Sequence, residues 1–330
     1  MSNPPYIITA KAADCLAKIV ETVTRLEYGT SFRREMKLHR ENRMRTIHSS
    51  LAIEGNTLTL GEVTAVIEGK IVAGKQTEVK EVKNAYEAYD RIMTFDPYAI
   101  ADFLKAHELM TQGLVKEAGR FRSGDVGVFD GGVAIHVGAR PQFVPQLMED
   151  LFAWAKGSDL HPVIKSTILH YEIETIHPFA DGNGRMGRLW QTLLLSKWNK
   201  IFMWIPMEAV IYQKRPTYYE TLHIGQTTND NSEFIEFALS SLHEILKHTN
   251  SDLLAAEQVI AQDNEQIGRE ERILGFCGEP KTREEIQVFV GIAHREHFRA
   301  KILKPLLESG KLRISIPDKP NSRNQKYVRV

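Results

Sequence analysis

Apolar residues recur at three- and four-residue spacing over most of this chain, the signature of amphipathic helices. From Ala10 to Leu26 the repeat is carried by Leu16, Ile19, Val20 and Val23. A second helix is expected over Ser31–Ile53 and stops at Glu54-Gly55-Asn56, because glycine takes the left-handed conformation that ends a helix. Thr59 followed by Glu62 forms a capping-box pattern and opens a short third helix. Further helical periods cover Thr77–Met93, Ala99–Leu114, Val144–Lys156, Pro162–Thr175, Gly187–Trp198 and Phe234–Thr249. One stretch breaks this rhythm. Between Gly124 and Pro141 there are five glycines, with alternating apolar positions on either side of Asp130-Gly131-Gly132. That pattern predicts a β-hairpin resting on helices, with an edge able to accept another strand.

Beyond Asn250 the chain turns polar through Ser251–Gly268, a linker or connecting helix. Three short helices (Arg272–Phe276, Thr282–Val290, His294–Glu308) and two strands (Leu312–Ile316, Gln325–Val330) then read as a winged-helix unit. The expected fold is mainly α, divided into residues 1–95, 96–249, the linker 250–268, and 269–330.

Composition narrows the class. The 42 basic and 42 acidic residues cancel, so no global field directs the chain to nucleic acid or to membranes. Two cysteines, Cys15 and Cys277, give no metal spacing and suit a reducing compartment. The N-terminus lacks a signal-peptide pattern, and no apolar run reaches membrane-spanning length. The expectation is a cytoplasmic protein without a membrane contact. The last unit differs, with 14 Lys and Arg against eight Asp and Glu from Arg269 to Val330, a net charge of +6.

The chemistry concentrates in His177-Pro178-Phe179-Ala180-Asp181-Gly182-Asn183-Gly184-Arg185-Met186-Gly187-Arg188. Pro178 ends the preceding helix, and Asp181–Arg185 is expected as a loop in which Gly182, Asn183 and Gly184 turn their N–H groups inward as an anion nest. That nest lies at a helix N-terminus, which favours phosphate. Arg185 and Arg188 share one side of the first turn and suit bidentate phosphate contacts. Asp181 is the loop's one carboxylate and suits Mg²⁺ bridging phosphates. His177, the segment's one imidazole, is the general-base candidate. The spacing of a Walker loop is absent.

This segment resembles the signature of the Fic family, His-x-Phe-x-Asp/Glu-Gly-Asn-Gly-Arg-x-x-Arg, at every specified position, and the likeness extends over about Asp96–His248. The resemblance implies a helical core that transfers AMP from ATP to a Ser, Thr or Tyr hydroxyl of a target protein. By that likeness His177 deprotonates the hydroxyl and Asp181 holds Mg²⁺ at the α/β-phosphates. Asn183 with the backbone of Gly182 and Gly184 seats the phosphates, Arg185 and Arg188 hold their β/γ end, and Phe179 anchors the loop in the core. The hairpin becomes a flap that registers the target by strand addition along Val133, Ala134, Ile135, His136 and Val137. Tyr218 and Tyr219 either border the adenine or pack in the core.

Ser50-Leu51-Ala52-Ile53-Glu54-Gly55 is similar to an inhibitory motif, Ser/Thr-x-x-x-Glu-Gly/Asn, of one Fic subclass. Read alone, Glu54 faces the negative end of its helix, so another group has to compensate it. The resemblance pairs it with Arg188, which closes the γ-phosphate site, and places Ser50 near the glutamate or the phosphate.

Other readings stay open at this point. Glu174-Thr-Ile-His177 and Glu220-Thr-Leu-His223 repeat the Glu-x-x-His of di-iron bundles, although Pro178 and the two arginines oppose a metal there. The basic winged helix serves either DNA or protein contact. A non-enzymatic regulator, transfer of another nucleotide, removal of AMP, and a homodimer are all compatible with the residues.

Overall fold

The computed structural model describes residues 4–28, 36–130, 133–292, 294–320 and 322–330; the side chains of 28, 36–38, 128–137 and 252–267 lie outside that description. The expected helix start at Ser31, the hairpin turn Gly131-Gly132 and the side chains of Val133–Val137 therefore fall outside it too. The chain divides into two compact units, Met1–Ser251 and Asp252–Val330.

The first unit is helical, as the periodicity predicts. Its helices are α1 (Ala10–Tyr28), α2 (Met36–Ile53), α3 (Leu60–Ile67), α4 (Gln76–Asp90), α5 (Ile100–Thr111), α6 (Val144–Gly157), α7 (Pro162–Ile176), α8 (Asn183–Trp198), α9 (Met207–Gln213) and α10 (Arg215–Thr228). α11, Ser232–Phe276, begins in this unit. It runs through the helix expected over Phe234–Thr249 and the linker or connecting helix expected over Ser251–Gly268, because that polar stretch has no Pro and is made largely of residues compatible with a helix. α9 and α10 were not anticipated; Pro216 in the first turn of α10 is a tolerated helical position, not a break.

α7 and α8 form the centre. Twelve of the fifteen residues of α7 and fourteen of the sixteen of α8 are buried, so neither is a surface helix with one apolar stripe. Phe103 of α5 meets Phe152, Phe179 and Trp190 at centroid distances of 5.3, 5.2 and 4.9 Å, an aromatic cluster under the loop between α7 and α8. The hairpin is present as β1 (Gly127–Asp130) and β2 (Val133–Val137), antiparallel, with a register shift after Val128 that leaves Ile135 without a partner.

In the second unit, β3 (Lys281–Thr282) and α12 (Arg283–Phe289) are followed by α13 (Arg295–Phe298), a π-helical stretch Arg299–Leu303, α14 (Lys304–Glu308), and strands β4 (Leu312–Ile314) and β5 (Lys326–Arg329). β5 is central in an antiparallel order β3-β5-β4. The sequence suggested two strands and one helix over 294–308; β3 is too short to alternate, and Pro305, lacking an N–H, breaks the helical ladder behind it. Ile273, Cys277, Ile286, Phe298, Ile302, Leu303, Leu306 and Leu312 make this unit's own core. Cys15 and Cys277 are both free thiols. Among the described residues no helix is long and apolar enough to cross a membrane.

Candidate functional site

His177 caps α7 in the left-handed conformation (φ 53°), uncommon for a residue with a Cβ. Its N–H bonds Ile173 O at 3.0 Å, and its carbonyl accepts from Arg122 Nε at 2.7 Å. Its ring Nδ1 lies 3.3 Å from the Glu174 carbonyl. A carbonyl only accepts, so at this contact Nδ1 is the donor.

The loop then descends. Phe179 is fully buried and stacks on His107 with centroids 3.6 Å apart. His107 Nδ1 accepts from Gly119 N at 3.0 Å and Nε2 meets Asp181 O at 3.0 Å, so Nε2 donates and the ring is neutral. Burial drives its pKa down to about 4. This histidine, supplied by α5, holds the loop's shape; nothing in the sequence marked it.

α8 starts at Asn183, four residues earlier than expected. Of the three residues assigned to an irregular nest, only Gly182 has positive φ (89°); Asn183 and Gly184 are helical. The glycines serve close approach instead. A Cβ on Gly187 would meet His170 Cδ2 at 2.6 Å, and one on Gly184 would collide with Glu54 Oε1. Asn183 also departs from its expected part. Its Oδ1 accepts from Phe179 N at 2.8 Å and its Nδ2 donates to Phe179 O at 2.9 Å, so the buried amide braces the loop.

No side chain caps the N-terminus of α8. Unpaired N–H groups and the helix dipole there favour an anion. Beside it, Arg185 Nη2 meets Asp181 Oδ1 at 3.1 Å, and Nη1 stands 3.7 Å from Glu81 Oε1 on α4. Arg185 Nε and Nη1 are buried without a hydrogen-bond partner, as is Arg188 Nη1. Buried unmatched donors are costly unless a ligand accepts from them. Asp181 is well exposed, and Oδ1 also accepts from Gly182 N at 2.6 Å. Oδ2 is directed to no protein donor among the described residues. Among those residues no cluster of three or more His, Cys, Asp or Glu is disposed to hold a metal. A single carboxylate does fit Mg²⁺, which completes its shell with phosphate oxygens and water. Glu174, from the Glu-x-x-His pattern, belongs with His170 to a buried network in which Tyr218 Oη donates to Glu174 Oε1 at 3.1 Å.

Arg188 is fully buried. Nε donates to Ser50 Oγ at 3.2 Å, and Nη2 donates to Ser50 O at 3.0 Å and to Glu54 Oε1 at 2.7 Å. Burial presses its pKa down, but the charge of Glu54, joined by that of Glu174, outweighs this and raises it. Glu54 sits just past α2, where Asn56 N bonds Leu51 O at 3.1 Å and Gly55 N bonds Ala52 O at 3.1 Å, a Schellman stop with Gly55 at φ 94°. Asn56 Nδ2 donates to Glu81 Oε2 at 2.7 Å and fixes the corner to α4. The Thr59–Glu62 capping box follows as predicted.

The tyrosines separate. Tyr218 is buried in the core, which removes it from a nucleotide edge. Tyr219 is part-exposed, and its Oη donates to Ile53 O at 3.3 Å beside the Glu54 corner. Ser50 contacts Arg188, not the glutamate.

The class defined by this fold and site is a helical core with an uncapped N-terminus and buried arginine donors at the start of its central helix. Residues 97–195 match the Fic/DOC family, and residues 269–329 match the C-terminal domain of Filamentation induced by cAMP protein Fic-like. The crystal structure of a Fic family protein from Desulfovibrio desulfuricans G20 is 38% identical, with a TM-score of 0.74, covering 100% of this chain and 98% of that one. The chain belongs to the Fic family. It is also 26% identical over 263 residues to protein adenylyltransferase fic-1 of Caenorhabditis elegans, covering 74% of this chain and 48% of that protein. Protein adenylyltransferase Fic of Nematostella vectensis is 34% identical over 202 residues, covering 58% of this chain and 45% of that protein. The chain thus spans about half the length of these two relatives.

Proposed function

We propose that this protein is an adenylyltransferase that moves AMP from ATP to a hydroxyl side chain of a target protein, and that Glu54 restrains it. His177 Nε2 takes the hydroxyl proton. The oxygen attacks the α-phosphorus, the bond from that phosphorus to the bridging oxygen breaks, and pyrophosphate leaves toward Arg185 and Arg188. The uncapped N–H groups of α8 and the spare guanidinium donors meet the charge that develops. Mg²⁺ held by Asp181 would neutralise the α/β-phosphate oxygens. Tyr219, at the rim, borders the base. The names of the two adenylyltransferase relatives support the reaction class.

The observation that carries this reading is Glu54 itself. Its carboxylate meets Arg188 at 2.7 Å above Gly184, where a phosphate oxygen would otherwise lie. Two anions competing for one guanidinium make a direct switch. The test is incubation of wild type and Glu54→Gly with labelled ATP and Mg²⁺, with mass spectrometry to locate modified residues. Glu54→Gly is expected to label itself at least about ten-fold faster, the equivalent of one charge-assisted hydrogen bond. Equal rates would remove the restraint, and no label in either protein would remove the reaction.

The segment Arg269–Val330, with a net charge of +6 and its short helices flanked by strands β3, β4 and β5, fits a winged helix that contacts nucleic-acid phosphates. Retention on duplex DNA should then fall steeply with salt; retention that ignores salt, or none at all, would assign the unit to protein contact.

A further inference from the structure

Arg122 lies outside the His177–Arg188 segment, yet each of its three side-chain nitrogens donates at the foot of the hairpin. Nε donates to His177 O at 2.7 Å, and Nη1 donates to Gly124 O at 2.7 Å, on the chain entering β1. Nη2 donates to Ala139 O, on the chain leaving β2. Its own backbone N–H bonds Pro178 O at 3.0 Å. Both legs of the hairpin and the carbonyl of the candidate base therefore meet on one guanidinium. A lysine, with donors at one point, does not span three such directions.

Two further contacts close the same seam. Ala139 N bonds Ile176 O at 3.3 Å, and Gly138 N bonds Val126 O at 3.1 Å. Gly138 is there for proximity: a Cβ would meet Arg122 Nη2 at 2.8 Å, Val126 Cγ2 at 3.1 Å and His177 Cβ at 3.2 Å. The exit of β2 is thus pressed directly against His177.

We infer that Arg122 is the positioning residue that fixes the register of the hairpin against His177, and through it the place of the acceptor hydroxyl. The inference rests on the adenylyltransferase reading for its catalytic meaning, but the clamp is a property of the backbone. A target strand added along β2 inherits the hairpin's position, so a small displacement at its foot moves the hydroxyl relative to Nε2. Displacement of about 1 Å costs on the order of 10²-fold in rate. Nucleotide binding at the start of α8 does not pass through these bonds, so the loss falls on kcat.

The experiment compares Arg122→Gln, Arg122→Lys and Gly138→Ala with their parent, all in the full-length Glu54→Gly protein with ATP and Mg²⁺. Arg122→Gln and Gly138→Ala, which disturb the seam by different routes, should both cut transfer at saturating ATP about 10²-fold with the KM for ATP nearly unchanged. Arg122→Lys should lie between. In parallel, amide exchange at Gly138 and Ala139 should quicken in Arg122→Gln while the amides of α8 stay protected. Transfer near the parent rate, or a KM for ATP that rises in step with the lost rate, would overturn the assignment. If the parent transfers nothing, the adenylyltransferase reading fails and exchange alone decides: unaltered protection at Gly138 and Ala139 sinks the clamp.

Discussion

The two sides of the Arg188–Glu54 contact are built differently. Arg188 has no exposed surface, is held by Ser50 through both Oγ and O, and lies within the field of Glu174. Burial alone would raise the pKa of Glu174, but its bond to His170 and the charge of Arg188 hold it below the usual range, so Arg188 keeps an ionised neighbour if Glu54 leaves. The Glu54 side chain is 35% exposed and, among the described contacts, its carboxylate is tied to Arg188 alone. One partner is part of the core and the other is tethered to it. On the proposed function the movable element is therefore the carboxylate, while the arginine side of the contact stays assembled.

That asymmetry can be broken most sharply at Arg188. Arg188→Ala should lower unfolding free energy by about 3–5 kcal/mol in denaturant titration, because it strips a buried carboxylate of its countercharge. A loss below about 1 kcal/mol would put Arg188 in the tethered class. The loop beneath it gives the next effect. His107 has a pKa near 4 when folded and about 6.5 when unfolded, so between these values the unfolded chain binds the extra proton. Its contribution is complete above about pH 6.5 and declines as the pH falls toward 4, by roughly 3 kcal/mol in all. His107→Gln should flatten that part of the stability profile relative to wild type; parallel profiles would show that the ring does not titrate as described. The smallest effect belongs to Glu54→Gly, whose stability should change by no more than about 1 kcal/mol, as for a partly exposed ion pair. A change as large as that of Arg188→Ala would make Glu54 a structural member and not a movable one.

How much of this could be read beforehand follows the range of the interactions. The stop at Gly55, the capping box at Thr59 and the hairpin are local, and residue types at fixed offsets reveal them. The long motif was equally plain because its chemistry is contiguous. Arg122, His107 and Glu81 were not, since each meets the loop from a different element and is an ordinary residue in its own neighbourhood. The misplaced start of α8 has the same origin. Gly184 and Gly187 depress helix propensity, and only the approach of Glu54 and His170 explains why they stand inside a helix. Asn183 likewise has a side chain suited to phosphate, but Phe179's backbone claims both of its ends.

The fixed corner at Gly55-Asn56 has a quantitative consequence for whatever binds at α8. With Asn56 pinned to Glu81, the Glu54 carboxylate is a ligand attached to its own receptor. Short tethers of this kind give effective concentrations on the order of millimolar. On the proposed function a free anion must compete at that level, so the start of α8 would act as a threshold set by the supply of its ligand.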